Sequence, residues 1–160
     1  MVKRKKADID IFLNDLSTKI LNNEHGSIKE TIDEKTGICT KVEVSGMLEV
    51  YPDKIEYKGV AITAKEDMDF ATILVGQNIA LMRAQVDILN KMREKETSPF
   101  IFMKITSQIN LLEKELQDYI NLKDAFFVRL RNTRKDPNFY KIQHLSIDEE
   151  GKVSNFGTNN

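Results

Sequence analysis

Between residues 8 and 25, Ile9, Phe12, Leu13, Leu16 and Ile20 recur at helical spacing, which marks one apolar stripe on a helix. The pattern predicts a helix over 8–25, with Asp8 capping its start and Gly26 closing its end. From Ser27 the period changes to two. Ile38, Thr40, Val42, Val44, Leu48 and Val50 fall on even positions, and Lys41, Glu43 and Glu49 on odd ones. That alternation predicts a half-buried strand, with Cys39 turned outward and Gly46 permitting a bend or bulge. Ser27–Ile32 is its expected partner, joined through Asp33-Glu34-Lys35-Thr36-Gly37, where Gly37 suits a left-handed loop position. After the Pro52-Asp53-Lys54 turn, Ile55 and Tyr57 continue as a strand whose phase flips to Val60 and Ile62 beyond Gly59, as at a bulge. The expected product over 27–63 is an antiparallel meander of three or four strands.

Residues 64–135 carry the longest pattern. Met68, Thr72, Val75, Ile79, Met82, Val86 and Leu89 repeat at alternating four-three spacing, the seam of a heptad. Ser98-Pro99 interrupts it, with Ser98 placed as an N-cap and Pro99 at the first helical position. Phe102, Ile105, Ile109, Leu112, Leu116 and Tyr119 then resume the spacing. Two helices of about 30 residues, roughly 45 Å each, are expected. The short break favours an antiparallel, coiled-coil-like hairpin over a kinked continuous helix. Phe70, Ile73, Leu74, Leu81 and Ile88 widen the apolar arc of the first helix, and Phe100, Ile101, Leu111, Ile120 and Leu122 that of the second. Part of this surface is the chain's own core; the surplus predicts contact with another chain, self-association foremost.

After Pro137, Ile142, Leu145 and Ile147 lead through Asp148-Glu149-Glu150-Gly151-Lys152 to Val153 and Phe156, which predicts a β-hairpin over 138–156. Residues 1–7 read as a basic flexible tail and 157–160 as a disordered one. The fold class expected is therefore α+β in a single domain, 1–160: an N-terminal helix, a small antiparallel β-meander, a long antiparallel helical hairpin and a short C-terminal β-hairpin.

Composition narrows the picture. The 160 residues carry 24 Lys+Arg against 25 Asp+Glu, a formal net charge of -1, and are 41% apolar. Such a chain reads as soluble and globular, and its neutrality excludes histone-like binding through bulk positive charge. A single cysteine excludes an intrachain disulfide framework and any multi-cysteine metal knuckle. The 18 Lys, 12 Asn and 17 Ile form a bias typical of AT-rich genomes, such as those of low-GC bacteria and their phages. The basic start, Lys3 to Lys6, imitates a signal peptide, but Asp8, Asp10, Asn14 and Asp15 break the apolar region that must follow. The longest uncharged run, 70–82, is well short of the roughly 18 residues of a membrane span. A cytoplasmic protein with reduced Cys39, and no membrane association, is expected.

Candidate chemistry is sparse. His25 and His144 have no second ligand at metal spacing, Cys39 has no histidine nearby in sequence, and neither a Walker loop nor GxGxxG occurs. The acidic groups Glu66-Asp67-Asp69 and Asp148-Glu149-Glu150 read as a helix first turn and a solvated turn. No catalytic residue, cofactor or metal is assigned, and the protein is read as non-enzymatic. Two basic segments stand out: Lys3, Arg4, Lys5 and Lys6, and the end of the last long helix, Arg129, Arg131, Arg134 and Lys135, followed by Phe139, Tyr140 and Lys141. Arginine forks match phosphate, and aromatics stack on bases, although cations at a helix C-terminus also suit its dipole.

The reading drawn is a homo-oligomer that assembles through its long helices, with the seam residues as core or interface. In that form it binds another protein or macromolecule, for instance as a phage or mobile-element regulator or inhibitor of a host factor. One alternative is a nucleic-acid-binding accessory protein that uses the two basic segments. A second is an oligomer that encloses an anionic small molecule or nucleotide between subunits.

Overall fold

The structure, a computed structural model, describes residues 6–50, 53–64, 67, 72–135, 145–147 and 153–155. Its elements in chain order are α1 (Lys6–Leu21), β1 (Gly26–Ile32), β2 (Cys39–Val50), β3 (Asp53–Ile62), α2 (Ile73–Lys95), α3 (Pro99–Lys135), β4 (Leu145–Ile147) and β5 (Val153–Asn155). This is the expected α+β order of helix, meander, helical hairpin and short strand pair. The chain divides into two compact units, 1–121 and 122–160. In the second, β4 and β5 pair antiparallel with Ser146 opposite Ser154. The tail residues 1–5 and 157–160, and the remainder of the expected 138–156 hairpin, lie outside the described residues.

Helix α1 buries the predicted stripe of Ile9, Leu13, Leu16 and Ile20. It begins earlier than expected, so Asp8 sits inside its first turn, where a carboxylate suits the helix dipole. It ends at Leu21 because Asn23 draws the chain elsewhere. The Asn23 amide donates to Met47 O and to the Tyr57 hydroxyl, each at 2.9 Å, and its Oδ1 accepts from the His25 N–H. Gly26, the expected helix stop, is the first residue of β1.

The sheet is a three-stranded antiparallel meander in the order β1-β2-β3. The loop from β1 to β2 closes as expected: Asp33 Oδ1 accepts from the N–H groups of Lys35 and Thr36, and Gly37 adopts φ 71°. The bulges lie elsewhere than expected. The β2–β3 register runs unbroken from Lys41 opposite Ile62 to Val50 opposite Asp53, through both Gly46 and Gly59. The irregularity falls on the β1–β2 pair, where Thr31 faces Lys41 and Ile32 faces Cys39, leaving Thr40 as the extra residue. That extra residue resets the alternation, so Cys39 is buried together with Val42, correcting its outward placement. The phase of β3 does not flip either. Ile55, Tyr57, Gly59 and Ala61 all face inward, and Ile62 is exposed.

The inward residues of β3 become small at Gly59 and Ala61, and at Gly59 α2 lies directly on the strand. A Cβ on Gly59 would collide with Ala80 O and Ala84 N on the helix backbone. Helix α2 therefore turns a short-side-chain surface, Ala80 and Ala84 followed by Ile88, to the sheet. It starts at Ile73, with the Thr72 hydroxyl accepting from Val75 N at 3.2 Å, well after the expected Ala64. It is 23 residues long and α3 is 37, rather than two equal rods. The Ser98-Pro99 signal is read correctly: α3 opens at Pro99, and Ser98 Oγ accepts from Ile101 N.

The two helices form the expected antiparallel hairpin. Asn78 Nδ2 donates to the Tyr119 hydroxyl at 3.1 Å, and Arg93 donates to Thr106 Oγ1 at 3.4 Å, so the start of α2 meets the middle of α3 and its end meets the opening turns of α3. Gln85, Leu89 and Met92 fall on the Asn78 side of α2 by helical spacing and are buried. The wide apolar arc of α2 thus serves two layers within the chain, the sheet on one side and α3 on another. Replacing Gly59 by valine should force the helix off the sheet and lower stability by about 1–3 kcal/mol. A urea midpoint that does not move would contradict this packing.

Candidate functional site

Helix α2 also reaches around the edge of the sheet. Arg83 donates to Val60 O at 2.7 Å, Lys58 N–H donates to Asp87 Oδ2 at 2.9 Å, and Lys91 donates to Glu56 O at 2.6 Å. These three helix residues are spaced by four and the three strand residues by two. Four helical residues rise about 6.0 Å and two strand residues about 6.6 Å, so the two ladders stay in step. Lys91 and Asp87 also pair with each other at 3.2 Å. The outer edge of β3 is thereby hydrogen-bonded to side chains along much of its length.

The sheet face turned away from α2 is charged. Glu43 lies opposite Lys29 on β1, with Lys58 reaching it at 3.2 Å. The Lys58 hydrogen bond holds the Glu43 carboxyl below the ordinary glutamate range; burial opposes this, while the charges of Lys58, Lys41 and Lys29 reinforce it. A carboxylate favoured by folding adds stability above its unfolded value, which is lost as pH falls through the folded value.

Between the end of α1 and the end of β2 lies an open polar groove of about 690 Å³, flanked by Asp15, Lys19, Asn23, His25 and Glu49. Its Asn23 side chain is already engaged in tying α1 to β2 and β3. The Lys19 ammonium sits 5.8 Å from the Phe12 ring centroid.

The predicted seam divides. Ile79, Leu89, Ile105, Ile109 and Leu112 are buried, and Val75, Met82, Val86, Leu116 and Tyr119 are half-buried. Phe102 is 44% exposed, with the Arg93 guanidinium 6.0 Å from its ring centroid, and Ile101 takes the inward place one residue earlier. Met68 lies outside the described residues, and Thr72 is a cap. Of the basic candidates, Lys6 opens α1, Arg129 is exposed on α3 and Arg131 is half-buried there. Arg134 and Lys135 close α3, whereas Lys3, Arg4, Lys5, Tyr140 and the aromatic-basic stretch around it lie outside the described residues.

Other candidates fall away from chemistry or beyond description. His25 is exposed beside Asn23, and the buried Cys39 thiol donates to Lys41 O at 3.5 Å. Asp67 is buried ahead of α2 rather than in its first turn. Glu66, Asp69, His144 and the acidic turn 148–150 lie outside the described residues. Among the described residues there is no group of three or more metal-ligating side chains, and no helix is long and apolar enough to cross a membrane.

The residues that sequence reasoning missed are the ones that build the sheet's environment: Asn23, Gly59, Arg83, Asp87 and Lys91. A signal existed for the last three, because basic, acidic and basic residues at i, i+4 and i+8 mark one helix face. Comparison with protein-family models, curated proteins and solved structures finds no match.

Two outcomes are expected. Asn23→Ala removes two donated hydrogen bonds and should lower stability by about 1–3 kcal/mol in chemical denaturation. Lys58→Gln should flatten the acid limb of stability against pH below the ordinary glutamate value of about 4.3. An unchanged acid limb would show that the Lys58 hydrogen bond to Glu43 contributes nothing to it.

Proposed function

We propose that this is a non-enzymatic protein that self-associates through α3 and, so assembled, binds another macromolecule inside the cell. One observation carries the reading: Met103 is 68% exposed and Leu111 49% exposed, both on the side of α3 away from its buried stripe of Ile101, Ile105, Ile109 and Leu112. Phe100 shares that outward side, with the Lys104 ammonium 5.6 Å from its ring centroid. Much of the surplus apolar surface that supports association thus belongs to α3, while on α2 it is confined to the first turn, where Ile73 and Leu74 are exposed. A role as regulator or inhibitor of a host factor, in a phage or mobile element, is supported by the Lys, Asn and Ile bias alone.

Because Met103 and Leu111 lie outside the core, Met103→Lys and Leu111→Glu should leave the thermal midpoint nearly unchanged. Each should weaken association about tenfold, the equivalent of about 1.4 kcal/mol of lost apolar burial. Light scattering at micromolar concentration reads this directly. A monomeric native protein, or charged variants that associate as tightly as the native chain, would overturn the proposal.

A second reading keeps one specific support. Arg129 is exposed near the end of α3, where its guanidinium fork can match a phosphate in geometry. It predicts nucleic-acid binding that declines steeply with salt, and a salt slope reduced by about one on Arg129→Gln. The absence of any mobility shift at low salt would remove it.

A further inference from the structure

The two edges of the sheet are built differently. The edge of β3 is capped at Val60 O, Lys58 N–H and Glu56 O by Arg83, Asp87 and Lys91, as described above, which obstructs the docking of a further strand there. On β1, Met47 N–H donates to His25 O, which places the main-chain groups of Ser27, Lys29 and Thr31 toward β2. Those of Ile28, Glu30 and Ile32 point away. Among the described residues, no strand pairs with β1 on that side and no side chain closes it.

The side chains along this edge define what fits. Ile28, Glu30 and Ile32 lie opposite Val44, Val42 and Cys39, on the α2 side of the sheet. Both isoleucines are 41% exposed. The Glu30 carboxylate is held between them by Gln77, whose Nε2 donates to Glu30 Oε1 at 2.6 Å. On the opposite face, Lys29 and, beside Thr31, Lys41 present two ammonium groups.

We propose that the β1 edge takes up an extended peptide strand of a partner protein whose successive side chains read apolar, acidic, basic, acidic, apolar. Main-chain hydrogen bonds to Ile28, Glu30 and Ile32 supply the affinity, and the alternating side chains supply the selectivity. The apolar ends meet Ile28 and Ile32, the central cation meets Glu30, and the two acids face Lys29 and Lys41. Charge disfavours a second copy of this chain. The antiparallel register that sets Ile28 against Ile32 of the other copy also sets Glu30 against Glu30, and directly opposed like charges are destabilising.

The probe is the capped peptide Val-Glu-Lys-Glu-Val, added to the full chain and followed by amide hydrogen exchange and titration. Binding should protect the amides of Ile28, Glu30 and Ile32, and should weaken at least tenfold for the charge-reversed peptide Val-Lys-Glu-Lys-Val. Glu30→Pro removes an N–H that points away from β2, so β1–β2 pairing survives while peptide binding is lost. Methylating the backbone nitrogen of the probe's central lysine removes the reciprocal hydrogen bond, from that N–H to Glu30 O, without altering the protein. The proposal is overturned by the absence of protection at millimolar peptide, or by equal binding of the two charge patterns. Unimpaired binding of the N-methylated probe would also sink it. Concentration-dependent protection of these amides without peptide would assign the edge to a second copy instead, which likewise rejects it.

Discussion

The close approach of α2 to β3 is the constraint on which the first unit depends. Two backbones can come this near only where neither carries bulk, and Gly59 on the strand meets Ala80 and Ala84 on the helix. Once the helix is seated there, its side chains at four-residue intervals fall level with the outward main-chain groups of β3. Arg83, Asp87 and Lys91 then close that edge. The same seating leaves a second side of α2 available to α3, whose hydrogen bonds through Tyr119 and Thr106 hold the hairpin antiparallel. A small side chain in one strand thus governs a sheet edge and the position of a helix layer.

From that arrangement follows an uneven surface. The charged face of the sheet sets Glu43 among three lysines, and the β3 edge is partly capped by side chains. Among the described residues, the β1 edge and the outward side of α3 stay exposed. The first offers main-chain groups flanked by isoleucine, the second apolar side chains on a helix. They are separate in kind, so occupation of one does not require the other.

Much of the fold is legible in the sequence where a local rule is sufficient. Ser98 and Pro99 announce the start of α3, Gly37 announces the β1–β2 loop, and the period-two run announces β2. The errors share one cause. Periodicity is detected through apolar side chains, and Gly59 and Ala61 have too little apolar surface to register, so Val60 and Ile62 seemed to carry the phase. Cys39 was misplaced because a bulge at Thr40 depends on how β1 meets β2, which no single strand reveals. For the candidate surfaces, the width of the apolar arc was visible while its use was not: on α2 most of it is covered by two internal layers, with Ile73 and Leu74 outside, and on α3 it stays partly outside.

The amino-acid sequence by itself determined the type and order of the elements, because caps, turn glycines and side-chain periodicity act over a few neighbouring residues. The tertiary structure alone decided which face of each element is covered and which edge of the sheet stays open. Those outcomes depend on distances between segments far apart in the chain, such as Gly59 to Ala84 and Lys58 to Asp87, and on small residues whose role is to leave room.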